Sequence, residues 1–469
     1  MSDNNELQLK QNRDGFTSKW GFILACIGSA VGMGNIWRFP IMVSQYGGMT
    51  FLLPYFLFVF LIGSTGVIEE FSLGRAAVAG PIGAFGYCTE NRTGKKKTGE
   101  IIGLIPVIGS LMLAIGYTVV VGWIFKYTFM GISGTLYGLG TDMNAVGGAF
   151  GATAPEAETL GQALGMMVEG GIVGIGNALW QIIGLVASLA IMAMGVAGGI
   201  EKANKVMMPV LFFLFVALGI YIFFLPGATE GYSYIFRLNP AGLLDWKVWV
   251  FAFGQAFFSL SVAGNGSVIY GSYLSKKEDV VGSARNVAIF DTLAALLAAF
   301  VIIPAMAAGG AELSKGGPGL MFVYLVNVFN GMPGGRIVGM IFFICVLFAG
   351  VSSIVNLYEA PVATLQERFG FNRLASVATI GVIGCIVSIM IQPWTSQWMD
   401  MVSIYICPLG AMLAGIMFFY VLKKDKAQEA VNAGAKKPIG EWFFFMGKIL
   451  YVPLALIALI AGAALGGIG

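Results

Sequence analysis

Gly28-Ser-Ala-Val-Gly-Met-Gly-Asn35 interrupts an apolar stretch that runs on to Ile36-Trp-Arg-Phe-Pro40. Three glycines and an asparagine in the middle of a membrane helix are costly. Glycine weakens helix interiors, and an unpaired backbone group in hydrocarbon costs several kcal/mol. Such a break is tolerated where the freed carbonyls and amides line a protected cavity. A second break, Ser259-Leu-Ser-Val-Ala-Gly-Asn-Gly266, lies in the other half of the chain. Two glycine-interrupted apolar segments in matching positions of two halves point to a secondary transporter with its site at the midplane.

Composition agrees. The 469 residues are 57% hydrophobic and 11% charged, and the mean hydropathy is +0.83. A soluble domain carries roughly 25% charged residues. Apolar runs of about 20 residues cross a bilayer, so the chain reads as an all-α polytopic membrane protein. It has no histidine, which removes the usual metal ligand and proton shuttle. The cysteines Cys26, Cys88, Cys345, Cys385 and Cys407 are scattered without CxxC spacing, which reads as packing. No GxSxG or HExxH motif occurs, so an intramembrane enzyme is the weakest reading.

Eleven spans are expected near 20–45, 50–78, 101–131, 178–196, 206–225, 247–274, 286–309, 337–364, 375–393, 401–422 and 445–467. With a cytoplasmic N-terminus, 20 of the 27 Lys and Arg residues fall on the inner side. The long loop after span 3 carries Asp142, Glu156, Glu158 and Glu169 and no basic residue. The positive-inside rule therefore places the N-terminus in the cytoplasm and, with eleven spans, the C-terminus outside. The basic residues are accounted for by these loops, not by nucleic acid. The expected organisation is a cytoplasmic segment 1–19, a first repeat 20–225 (spans 1–5), and a second 226–422 (spans 6–10). A loop with span 11 follows at 423–469.

The polar residues inside the spans are chemically coherent. Asn35, Ser259 and Asp291 supply amide, hydroxyl and carboxylate oxygens beside broken backbone, and Ser352 and Ser353 supply a second group. Oxygen donors of this kind suit a hard cation, and half-helix N-termini suit a carboxylate. Leu113, Phe258 and Leu357 offer apolar walls. For Glu69, Glu70 and Glu359 the residues leave a functional role and a structural pairing equally open.

On the strings KWGFILACIGSAVGMGNIWRFP in span 1, GQAFFSLSVAGNG in span 6, AGVSS in span 8 and EEFSLGR in span 2, the chain closely resembles the neurotransmitter:sodium symporter family. Its span number is similar to that of the shorter bacterial amino-acid transporters. The resemblance implies the leucine-transporter-like fold: a 5+5 inverted repeat with helices 1 and 6 broken and one peripheral helix. It implies two sodium ions. The first would use the Ala30 carbonyl, Asn35, Ser259, Asp291 and the substrate carboxylate. The second would use the Gly28, Val31 and Ala349 carbonyls with the Ser352 and Ser353 hydroxyls. The substrate carboxylate would meet the Met33 and Gly34 amides and the Tyr117 hydroxyl. The amine would meet the carbonyls of Ala30, Phe258 and Ser259, near Ser261. Gly32 replaces the aspartate of monoamine carriers, which implies an amino acid.

The departures carry information. Asp291 replaces an asparagine, and Ala295 stands where chloride-dependent relatives have serine, so no chloride requirement is expected. Gly264 replaces a phenylalanine wall, which implies a pocket walled by Leu113, Phe258, Gly264, Ser353 and Leu357 for a large hydrophobic or aromatic L-amino acid. Arg38 and Asp400, above Tyr117 and Phe258, would form the outer gate. Arg13 and Glu367, with Tyr273 and Phe16, would form the inner gate. The expected function is sodium-coupled amino-acid import across the cell membrane by alternating access. The alternatives are an amino-acid sensor on the same fold, or a carrier of small or polar amino acids.

Overall fold

A computed structural model describes residues 15–32, 34–154, 171–262, 266–310 and 319–466, with the backbone alone for 171–176. Met33, Gly264 and Arg13, each expected at the site or gates, lie outside the described residues. The protein is all-helical. Eight helices among the described residues are long and apolar enough to cross a membrane, and a ninth arises if the bent pair Lys19–Ala30 and Gly34–Tyr46 is one span. That pair, span 1, bends by 55° at the glycine break. The helix Gly171–Ala193 and the pair Trp246–Ser259 with Gly266–Gly271 occupy the positions expected for spans 4 and 6.

The remaining spans are Met49–Ala77 (2), Lys96–Ser133 (3), Val196–Phe223 (5), Val280–Ala308 (7), Gly335–Phe369 (8), Arg373–Met390 (9), Gln392–Val421 (10) and Glu441–Leu465 (11). Two start well before the hydropathy pattern predicts. Span 5 begins ten residues early, because Glu201 and Lys205 pair across one turn at 2.6 Å and keep a charged turn helical. Span 10 begins nine residues early, through a turn holding Trp394, Trp398 and Asp400. Span 3, at 38 residues, is about 57 Å long and outreaches the hydrocarbon.

Spans 2, 3 and 8 are mostly buried, whereas spans 5, 9 and 11 turn broad apolar faces outward. Phe60 in span 2 and Phe213 in span 5 are among the large side chains on the exposed surface, as lipid contact requires. The second half of span 6 lies directly on span 2. A Cβ built on Gly74 would stand 1.9 Å from the Val268 carbonyl oxygen, and one on Gly271 would stand 2.5 Å from that of Phe71. Two backbones meet there without side chains between them, the close approach small residues permit in membrane helices.

Candidate functional site

Both breaks are locally enforced. In a continued helix the Gly32 amide would donate to the Gly28 carbonyl. It donates instead to Asn35 Oδ1 at 3.3 Å, and helix geometry ends at Ala30. The chain resumes as a π-helical turn over Gly34–Arg38. In span 6, Leu260 still bonds back to Ala256, but Ser261 takes the left-handed conformation at φ +56, a position strained for a non-glycine residue. Its hydroxyl donates to the Ser29 carbonyl at 2.9 Å. Gln255 Nε2 donates to the Gly34 carbonyl at 2.9 Å. Side chains of span 6 thus bond carbonyls on either side of the break in span 1.

Around them sits the first oxygen cluster. Asn35 Nδ2 donates to Asp291 Oδ1 at 2.7 Å, to the Asp291 carbonyl at 3.1 Å and to Ser259 Oγ at 3.2 Å. Ser259 Oγ donates to Asp291 Oδ2 at 2.7 Å. All three side chains are buried. Asp291 makes no ion pair within 4.0 Å among the described residues. A buried carboxylate with hydrogen bonds but no fixed cation is expensive as an anion, and a monovalent cation beside it would supply the missing charge. The donors are amide, hydroxyl and carboxylate oxygens, a set that suits a hard alkali ion better than a softer transition metal. Ala30 lies at the end of the broken helix beside this cluster.

Some residues expected at the second cluster approach one another across spans 1 and 8. Ser352 Oγ donates to the Ala349 carbonyl at 3.0 Å, and a Cβ on Gly28 would meet Ser352 Cβ at 3.2 Å. A Cβ on Gly32 would lie 2.3 Å from Ser353 Oγ. Val31, fully buried, closes the turn by donating its amide to Ile27.

Between the clusters is a cavity of about 40 Å³, lined by Ala30, Gly34, Leu113, Tyr117, Phe258, Ser261, Ser353 and Leu357. Each of these was expected at the substrate. Ser29, Gly266 and Asn356 also line it and were not. Tyr117 and Phe258 are shared with a second cavity of about 470 Å³ that contains Arg38 and Asp400. Those two face the same space without an ion pair within 4.0 Å. The Arg38 guanidinium instead lies over the Phe258 ring, 4.8 Å from its centroid, a contact worth about 0.5–2 kcal/mol. The side chain that separates the cavities is therefore held by the arginine above it.

On the opposite side, Phe16 packs edge-on against Phe22, Tyr270 and Tyr273 at 5.3, 5.7 and 6.3 Å. Tyr273 donates to Glu359 Oε1 at 2.6 Å, and Arg373 clamps the same carboxylate through two bonds of 2.6 and 2.7 Å. Glu359 thus has a structural partner that the sequence did not pair. Glu367 accepts from the Gly80 amide at 3.0 Å, at the start of helix Pro81–Thr93. Glu69 and Glu70 are both buried, and the Glu69 carboxylate has no hydrogen-bond partner among the described residues.

A family model for the sodium:neurotransmitter symporter family matches residues 13–139 and 153–463. An uncharacterized sodium-dependent transporter of Methanocaldococcus jannaschii is 30% identical over 96% of this chain and 90% of its own length. One of Bacillus subtilis is also 30% identical, over 94% of this chain and 96% of its own length. Among solved structures, MhsT in complex with L-phenylalanine superposes with a TM-score of 0.82 at 32% identity, over 96% of this chain and all of that one. The glycine breaks, the buried oxygen clusters and these matches agree: the chain is a membrane transporter, not an enzyme, and belongs to the sodium:neurotransmitter symporter family.

Proposed function

We propose that the chain is a sodium-coupled symporter that imports an amino acid across the cell membrane by alternating access, without chloride. The observation that carries this reading is the Asn35–Ser259–Asp291 cluster, which gathers three buried oxygen-bearing side chains from spans 1, 6 and 7 at the two helix breaks. Turning the Asn35 amide over presents Oδ1 to a cation. The first sodium then takes that oxygen, Ser259, Asp291, the Ala30 carbonyl and the substrate carboxylate, so that ion and substrate bind as one unit. The second takes Gly28, Val31, Ala349, Ser352 and Ser353. The substrate carboxylate meets the Met33 and Gly34 amides and Tyr117. Its amine meets the carbonyls of Ala30, Phe258 and Ser259, beside Ser261.

A hydrophobic or aromatic substrate is supported by the Leu113, Phe258 and Leu357 walls, by Gly264 in the sequence, and by the L-phenylalanine found with the related MhsT. A cavity of about 40 Å³ holds a few waters, so substrate entry requires the Tyr117 and Phe258 side chains to yield toward the larger outer cavity. One observation favours a substrate side chain carrying a donor. Asn356 lines the pocket, and its Oδ1 has no hydrogen-bond partner among the described residues. The basic inner loops support a cytoplasmic N-terminus. The decisive experiment is uptake of radiolabelled amino acids into proteoliposomes with and without a sodium gradient. Uptake should vanish when potassium or choline replaces sodium on both sides, and uptake that persists would refute the reading.

A further inference from the structure

Span 5 faces span 1 through two glycines seven residues apart. A Cβ on Gly21 would lie 2.0 Å from Glu201 Oε1, and one on Gly28 would lie 1.9 Å from Asn204 Oδ1. The two contacts differ in kind. Glu201 is fully engaged: it accepts from the Thr17 amide and hydroxyl, each at 2.7 Å, from Ser18 Oγ at 2.9 Å and from Lys205 Nζ at 2.6 Å. Asn204 is half engaged. Its Nδ2 donates to the Ile200 carbonyl at 2.9 Å, within the π-helical turn Val196–Glu201. A carbonyl partner demands a donor, so this bond fixes which end of the amide is which. Oδ1 is then left toward span 1, in a residue 1% exposed, with no hydrogen-bond partner among the described residues. Ser352 Cβ approaches the same Gly28 position at 3.2 Å. The orphaned oxygen therefore sits where Gly28 of span 1 and Ser352 of span 8 meet.

We propose that Asn204 Oδ1 is a further oxygen ligand of the second sodium ion, reaching it from span 5 directly or through one water. This rests on the two-sodium reading above and adds a third helix to that site. Asn204 and Glu201 lie three residues apart, on one face of span 5. The ion that holds Asn204 against span 1 thereby also holds the face on which Glu201 latches Thr17 and Ser18. Release of the ion would loosen span 5 and the latch together, on the side closed by Phe16.

The test is a sodium titration of the thermal stability of the purified full-length protein, without substrate, with potassium balancing the ionic strength. Equilibrium binding of radiolabelled sodium is measured in parallel. Asn204→Ala should raise the sodium midpoint by about tenfold or more, as loss of a supporting metal contact does, while leaving the melting temperature in potassium nearly unchanged. Asn204→Asp, which keeps the oxygen and adds charge, should lower the midpoint by about threefold or more. An Asn204→Ala protein that melts lower by the same amount in sodium and potassium, with an unshifted midpoint, would show a packing role and overturn the proposal. If that variant does not fold, an unshifted midpoint in Asn204→Asp overturns it alone. A wild type with no sodium-dependent shift would sink the symport reading itself and this inference with it, so the two failures are distinguishable.

Discussion

Replacing Asp291 by asparagine isolates the charge at the first cluster while nearly preserving shape. The carboxylate accepts at both oxygens, from Asn35 Nδ2 and from Ser259 Oγ, each at 2.7 Å. An asparagine can keep one of these as acceptor, and its amide must find a new one, a loss of about 1–3 kcal/mol for a buried group. The larger loss is to the ion. A unit charge 4 Å from a cation is worth about 1 kcal/mol in water and about 4 at an effective dielectric of 20. At about 1.4 kcal/mol per tenfold, sodium affinity should fall by roughly five- to a thousandfold. The site lies in fully buried surroundings, which favours the upper part of that range. The assay is uptake against sodium concentration in proteoliposomes, run in chloride and in gluconate. Wild type should show the same curve in both. Asp291→Asn should be right-shifted in gluconate and partly restored in chloride, because a mobile anion can replace the fixed one. An unshifted Asp291→Asn curve in gluconate would refute the argument that this carboxylate stands in for chloride.

Three further outcomes are expected. Gly32→Ala places a methyl group 2.3 Å from Ser353 Oγ and should abolish substrate binding measured by scintillation proximity; near-normal affinity would remove that contact from the site. Arg373→Ala leaves Glu359 buried at 0% exposure without its bidentate partner and should cost about 3–5 kcal/mol, visible as a large fall in melting temperature, whereas Arg373→Lys should recover part of it. Gly264→Phe should weaken tryptophan, tyrosine or phenylalanine more than alanine or valine in competition uptake, each lost buried methylene costing about 0.8 kcal/mol; equal loss for all would show that position 264 only permits the helix break.

The breaks themselves were legible because a glycine cluster inside an apolar run is hard to reconcile with an unbroken helix. The donor chemistry of the clusters was legible in the residues, but their division into two ligand sets came through resemblance. Asn35 and Asp291 are 256 residues apart, and no periodicity brings them together. Local pattern also misplaced the start of span 5, since Glu201, Lys202 and Lys205 end a hydropathy window but not a helix whose charges pair along its own surface. Glu359 offered no local hint of Arg373, because the helix ends between them and the pairing depends on how span 9 folds back on span 8. Gln255 and Asn204 were overlooked for a different reason. An amide side chain in a membrane helix is informative only through what lies opposite it, and here that is another helix's broken backbone or bare glycine.

The contacts of Gly74 with the Val268 backbone and of Gly271 with the Phe71 backbone have a mechanical consequence. Backbones that meet without intervening side chains have no rotamers to re-sort, so the joint cannot creep. Span 2 and the far half of span 6 are keyed together and must travel as a single lever. Any change of access therefore has to be made at the softer joints, where Phe258 lies under the Arg38 side chain and Phe16 rests on rings that can swing.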